Sequence, residues 1–345
     1  MDTLASSPSE TAQAPDAGRR AQRATPVEWP TVALIAAVYA SWLAAGLLLW
    51  PAHPVMAFIV LALSVTLQSS LVHEALHGHP TRSARVNEAL VFFPIGVFWP
   101  YRRFKTLHLR HHADERLTDP FDDPESYYQA LWKHAGMPRW LRGLLRVNNT
   151  MVGRMIFGPW LSVIGLALGD IRLIRSGDRG VLRAWLLHIT GLAVVVAVVV
   201  FGFGMPFWLY VIAAVWPGLA LISIRTYAEH QWSEDPQGRT IIVEKSPLSF
   251  LFLNNNLHVV HHALPAVAWY RLPELYRQRR AEWIAVNRGY VFANYRALLS
   301  RYAFRGKEPV VHPVLRRTPQ CGGAVERLAR TNAMKAGDGT ATPAE

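Results

Sequence analysis

Cysteine is almost absent, since Cys321 stands alone among 345 residues. A disulfide scaffold, a thiolate zinc site and an iron–sulfur cluster are therefore excluded within the chain. Charge is also scarce, at 17% charged residues against 51% hydrophobic ones, and the mean hydropathy is positive. That is too apolar for a disordered protein and unlike an ordinary soluble enzyme. The net charge of +12 comes without a basic block carrying interleaved aromatics, so nucleic acid is not expected as a partner. Residues 1–30 lack the apolar core and small-residue cleavage site of a signal peptide. Their Ala, Ser, Pro, Thr and Arg content predicts a disordered tail.

Long apolar runs are what the sequence does have. Thr31 to Trp50 and Val55 to Val72 flank a turn at Pro51 to Pro54, and Ala184 to Phe203 and Phe207 to Ile224 flank a second turn at Gly204 to Pro206. Each run is about 20 residues, enough helix for a bilayer core of roughly 30 Å, so two transmembrane hairpins are expected. No Lys or Arg lies between Arg23 and Arg82 or between Arg183 and Arg225. The positive-inside rule then places the N-terminus, the central loop and the C-terminal region in the cytoplasm. Phe157 to Gly169, with Arg154 and Arg172 on its two sides, and Ala89 to Pro100 are too short to span and are expected to lie in the interface or re-enter.

Nine of the fourteen histidines fall in four places on the predicted cytoplasmic side. His73 and His77 form HEALH, His108, His111 and His112 form HLRHH, His230 closes RTYAEH, and His258, His261 and His262 form HVVHH. Spacings of i, i+3 and i+4 put the imidazoles of each box on one helical face, as a metal requires. One histidine at a membrane boundary is ordinarily a hydrogen-bonded surface or core residue. Three clustered boxes on one side are too costly to keep without a task. His53, His134, His188 and His312 keep the structural reading, and His79 is rotated off the ligand face of His77. HEALH also fits the zinc-protease pattern H-E-x-x-H with Glu74 as general base. A catalytic zinc takes three protein ligands, however, and would leave the six histidines of the other two boxes unused. Nine imidazoles suit two metal ions of four or five ligands each, and open positions among nitrogen ligands suit iron that must bind oxygen.

The order HxxxH, HxxHH, HxxHH, each box after a membrane segment, resembles the integral-membrane fatty acid desaturase superfamily, which includes carotenoid ketolases and some hydroxylases. The resemblance covers about residues 31–285. It implies a di-iron centre on the eight box histidines plus a ninth after the fourth helix, where His230 stands. It also implies O2 as co-substrate, attack on an unactivated C–H bond, and electrons from an external donor such as ferredoxin or rubredoxin with its reductase. Departures from the pattern carry information as well. Glu74 stands where many members have Asp, NNNLHVVHHALPAVAWYRLPELYR resembles bacterial members including ketolase relatives, and no HPGG-type heme motif is present. The basic cytoplasmic face could steer an acidic carrier, although membrane topology accounts for most of that charge.

Further residues are expected around the metals. Asn254, four before His258, is either a contact to metal-bound water or an N-cap. Asp119, Asp122, Asp123 and Glu125 in TDPFDDPES either orient imidazoles or build an Asp-Pro turn, and Glu229 beside His230 has the same two readings. Trp99, Tyr101, Trp269 and Tyr270 are expected as interfacial anchors. The sequence thus predicts an all-α membrane protein with four transmembrane helices in two hairpins and a cytoplasmic helical cap carrying the histidines. Residues 1–30 would be a tail, 31–285 the membrane domain, and 286–345 a cytoplasmic region ending in a disordered tail. The expected activity, in a bacterial inner membrane, is O2-dependent desaturation of a fatty acyl chain. The alternatives are a hydroxylase or ketolase of a carotenoid, hydrocarbon or small metabolite on the same centre, a zinc protease, and a metal-handling protein without catalysis.

Overall fold

The computed structural model describes residues 27–113 and 117–316. It is mostly helical, at 68%. Helices α1 (Trp29–Ala52) and α2 (Pro54–Leu76) form the first hairpin, with Pro54 at the start of α2, where its missing N–H costs no helix hydrogen bond. Short α3 (Ala84–Leu90) and α4 (Tyr101–Ala113) follow, then α5 (Leu131–Ala135), α6 (Arg139–Asn148) and α7 (Met151–Arg175). The second hairpin is α8 (Arg179–Gly202) and α9 (Phe207–Glu229). Beyond it come β1 (Ile242–Val243), α10 (His258–Ala263), α11 (Leu272–Gln278), α12 (Arg280–Val286), β2 (Val291–Phe292) and α13 (Tyr295–Tyr302). The strands pair in parallel with Ile242 opposite Val291.

The two hairpins share one apolar core. Trp42 of α1 stacks edge-on against Phe203 at 4.9 Å and donates its indole N–H to the Tyr210 hydroxyl at 2.9 Å. At Gly218 a Cβ would lie 2.7 Å from the Ala62 carbonyl oxygen and 2.8 Å from Val65, so only glycine lets α9 approach α2 this closely. Outward-facing side chains remain bare, with Leu48 71%, Val55 75% and Phe201 84% exposed, as a hydrocarbon surround allows.

Residues 91–100 fold as an irregular segment within this core. Tyr39, His188 and Tyr210 donate side-chain hydrogens to the carbonyls of Phe93 (3.0 Å), Val97 (2.7 Å) and Ile95 (2.7 Å), respectively. Three helices thereby satisfy a backbone that lipid could not, the condition for non-helical chain at membrane depth. It also gives His188 its place in an apolar helix.

Among the described residues five helices are long and apolar enough to cross a membrane, one more than the sequence predicts. The additional one is α7, in which Phe157 to Gly169 is only the middle of 25 helical residues. Arg154 and Arg172, which bound the expected segment, both lie inside the helix. Asp170 takes a bidentate pair from Arg103 at 2.8 and 2.7 Å and the Trp185 indole at 2.8 Å. Arg154 lies over the Tyr127 ring at 4.4 Å.

Glu28 N–H donates to the Pro80 carbonyl at 2.9 Å, and Trp29 already begins α1, so residues 27–30 are ordered against the molecule. The expected tails at residues 1–26 and 317–345 lie outside the described residues. Tyr290, Tyr295 and Leu298 share a core with Met151, Tyr227 and Phe252.

Candidate metal centre

The end of α2 presents His73 in its last turn and His77 just beyond it. Helix α4 presents His108, His111 and His112, α10 presents His258, His261 and His262, and His230 follows the last residue of α9. These nine converge into two groups, each able to hold a metal ion. The first is His73, His77, His108, His112 and His261, and the second is His111, His230, His258 and His262. Ligand nitrogens within each group lie within 4.8 Å of one another. Each HxxHH box is divided between the groups by helix geometry. Residues i and i+4 are about 40° apart around the axis, and the intervening i+3 sits to the other side. Hence His108 and His112 stay together while His111 leaves, and His258 and His262 stay together while His261 leaves. His53, His134, His188 and His312 belong to neither group.

Acceptors around the rings decide which nitrogen faces inward. Glu125 accepts from Nδ1 of His108 at 2.6 Å, and Asp123 accepts from Nδ1 of His111 at 2.8 Å. Asn255 Oδ1 accepts from Nδ1 of His258 at 3.0 Å. In the neutral form, with Nδ1 carrying the proton, each ring turns an Nε2 lone pair into its group. Nε2 of His111 and Nε2 of His258 each lie 3.0 Å from Nε2 of His230, and Nε2 of His108 lies 3.1 Å from that of His77. Nε2 of His73 and Nδ1 of His112 are buried without a hydrogen-bond partner among the described residues. Converging, unsatisfied nitrogens are costly alone and are what a cation satisfies, so this donor set fits two nitrogen-ligated metal ions.

Burial also sets the protonation. It pushes His77, His230, His258, His261 and His262 well below the usual imidazole range and His112 to about 2, with neighbouring imidazoles adding to the effect. Neutral imidazole is the form that binds a metal. At His111 burial also works against the charge, but Glu125 and Asp123 outweigh it and raise the ring to about 9. Despite its burial, Glu125 is held well below the carboxylate range by His108 and His111.

The structure separates the residues expected around the metals. Asp123 and Glu125 touch imidazoles. Asp119 instead caps a turn, accepting from the N–H groups of Phe121 (2.8 Å) and Asp122 (3.1 Å). Asn254 has φ +57° and sends its amide to the Trp269 carbonyl at 3.0 Å, so it neither caps α10 nor faces a group. Its neighbour Asn255, which the sequence reading passed over, touches His258. Glu229 acts one step back, accepting from Asn255 Nδ2 at 2.9 Å and pairing with Arg225 at 2.8 Å. Glu74 accepts from the Trp269 N–H at 3.3 Å and lies 3.8 Å from His73 Nδ1. His79 pairs with Glu28 at 2.7 Å. Tyr101 and Trp269, expected as anchors, bond inward to the Ala75 carbonyl (3.2 Å) and the Thr31 hydroxyl (3.2 Å).

A family model for fatty acid desaturases matches residues 48–293, well over half of the chain and all nine histidines. The chain belongs to the fatty acid desaturase family. It is accordingly a membrane-embedded oxidoreductase of histidine-cluster type. No curated protein matches it significantly.

Proposed function

We propose that this protein is an O2-dependent di-iron oxidase of lipid chains, specifically a desaturase that introduces a C=C bond into a fatty acyl chain. The observation that carries the reading is the division of nine imidazoles into groups of five and four, contributed by four separate segments. A single hydrolytic zinc, with three protein ligands, would use fewer imidazoles than either group offers. His73, His77, His108, His112 and His261 would hold one iron, and His111, His230, His258 and His262 the other. Bound there, the iron pair supplies the O2-dependent oxidation that an unactivated C–H bond needs.

The chain's own residues do the remaining work. Asp123, Glu125 and Asn255 hold the Nδ1 protons and fix the rings. The buried ends of α2, α4 and α10 keep water from the nitrogens. A site at the ends of α2 and α9 is reached from the membrane by an elongated apolar chain, so binding such a chain is chiefly a matter of holding one methylene in place. Electrons come from a separate carrier such as ferredoxin or rubredoxin with its reductase. Four helices, α1, α2, α8 and α9, span the membrane, with both termini cytoplasmic. Helix α7 returns to the side it starts from, since Met151 packs by Tyr227 and Ala228 and Asp170 pairs with Arg103 on the histidine-bearing α4.

Expression in a host whose lipids and pigments are profiled by mass spectrometry, with and without O2, tests the reading. New unsaturated acyl chains formed only with O2 and a reductase are expected. A new oxygenated pigment beside unchanged acyl chains would replace the desaturase with a hydroxylase or ketolase on the same centre. One tightly bound zinc, with peptide cleavage lost in Glu74→Ala, would replace both with a protease.

A further inference from the structure

We infer that Lys307 is a positioning residue for His230, an inference that rests on the di-iron reading above. Of the nine histidines, His230 is the one that helical spacing does not place. It follows the last helical residue, Glu229, in extended conformation with φ −127° and ψ 142°. Its Nδ1 is buried without a hydrogen-bond partner among the described residues, whereas His108, His111 and His258 each have an acceptor there. The ring is therefore steered through its backbone.

That backbone is gripped from the C-terminal side. The His230 carbonyl accepts from the Lys307 ammonium at 2.5 Å and from the Tyr127 hydroxyl at 2.9 Å, which uses both of its lone pairs. The same ammonium donates to the Tyr227 carbonyl at 2.6 Å. It sits among the rings of Tyr127, Tyr227 and Tyr290, at 5.5, 5.2 and 5.9 Å from their centroids, a cage suited to a cation. The next residue, Glu308, accepts from the Trp232 N–H at 3.0 Å, and Lys307 N–H donates to the Asn149 carbonyl at 3.2 Å. Residues 307–308 thus hold residues 230–232 in one orientation, with Nε2 of His230 kept 3.0 Å from Nε2 of both His111 and His258. Lys307 lies beyond residue 293, where the family match ends, so this grip comes from a part of the chain that the family model does not cover.

The consequence is selective. His230 belongs only to the four-histidine group, so losing the ammonium should loosen one iron and leave the other. The test measures iron content and Mössbauer spectra of the full-length protein in detergent for wild type, Lys307→Met, Tyr127→Phe and His230→Ala. Lys307→Met is expected to fall from two irons to about one per chain, as His230→Ala does, with the same residual spectrum in both. Lys307→Arg, which keeps a cationic donor, should recover part of the lost iron. Thermal unfolding of the metal-free proteins reports whether Lys307→Met folds. If it does not, Tyr127→Phe, which removes the other donor to the same carbonyl and keeps the ring, decides in its place by losing iron from the same group. Two irons with the wild-type spectrum in the deciding variant would overturn the inference, and so would equal loss from both groups, which would mark a general structural role. A wild-type protein without two irons would overturn the di-iron reading and this inference together.

Discussion

Glu229 and Asn255 are joined by a 2.9 Å hydrogen bond from the amide Nδ2 to the carboxylate, and this bond turns the amide so that Oδ1 faces Nδ1 of His258. A buried carboxylate therefore acts on a candidate ligand through a neutral intermediary, while Asp123 and Glu125 act on His111 and His108 directly. The acceptor on Nδ1 sets both the tautomer and the orientation of the ring, so each of the three is tied to the metal affinity of its own group.

Asn255→Leu removes the acceptor and also leaves the Glu229 carboxylate without its amide donor. The expected result is an iron affinity about 10- to 100-fold lower for the four-histidine group, read by competition with a chelator. Asp119→Asn, at a residue that caps a turn, should leave both affinities unchanged. Equal affinities in Asn255→Leu and wild type would remove Asn255 from the site.

The histidines set a pH dependence for the metal-free protein. Burial depresses His77, His112, His230, His258, His261 and His262, so below about pH 6.5 the unfolded chain binds more protons than the folded one. Stability then falls as the pH drops from there. His111 has the opposite sign. Raised to about 9, its contribution is complete below about pH 6.5 and is lost as the pH rises through about 9. Six depressed groups outweigh one raised group, so the melting temperature of the metal-free protein should fall between pH 7.5 and pH 5.5. The fall should be reversible on return to neutral pH. A melting temperature that rises over this interval would contradict the neutral, buried histidines.

Close packing of the hairpins makes a third prediction, with an internal control. Gly218→Val forces a side chain against the Ala62 backbone, which cannot give way as a flexible side chain can, and should cost about 1–3 kcal/mol or more. At Gly169 in α7 a Cβ meets nothing within 4 Å, and Gly169→Ala should be neutral or stabilising by up to about 1 kcal/mol. Thermal unfolding in one detergent orders the two variants, and a Gly218→Val protein as stable as wild type would refute the close approach.

Local periodicity made much of this legible. The hairpins follow from apolar run length, and eight histidines follow from i, i+3 and i+4 spacing, because both signals lie within a few turns of helix. What the sequence left hidden depends on distant partners or on single backbone angles. The ends of α7 read as charged boundaries because Arg154 and Arg172 flank its apolar middle, and the partner of the buried Asp170 at its end, Arg103, is 67 positions away. Asn255 was passed over in favour of Asn254 because two consecutive left-handed residues, Leu253 and Asn254, break the helical spacing counted back from His258. Lys307 has no local signature at all, being 77 positions from the carbonyl it holds.

The path of α7 decides the topology. A 25-residue apolar helix can cross a bilayer, and a crossing here would give five spans and put the termini on opposite sides. The contacts at its ends argue for a return. Near its start Val152 N–H bonds to the Ala303 carbonyl at 3.0 Å, beside the segment that holds His230. Near its end the buried Asp170 pairs with Arg103, one and a half turns before His108 on α4. Breaking such a buried pair leaves an uncompensated charge and costs about 3–5 kcal/mol, so this end is held firmly to the histidine side. Ser176, exposed in the turn between α7 and α8, should therefore face the same side as α5, which carries His134. In a Cys321→Ser background, Ser176→Cys and His134→Cys should both react with a membrane-impermeant maleimide only in inside-out vesicles. Labelling of Ser176→Cys from the outside of intact cells would mean that α7 spans, and α8 and α9 would then need a different placement relative to the histidines.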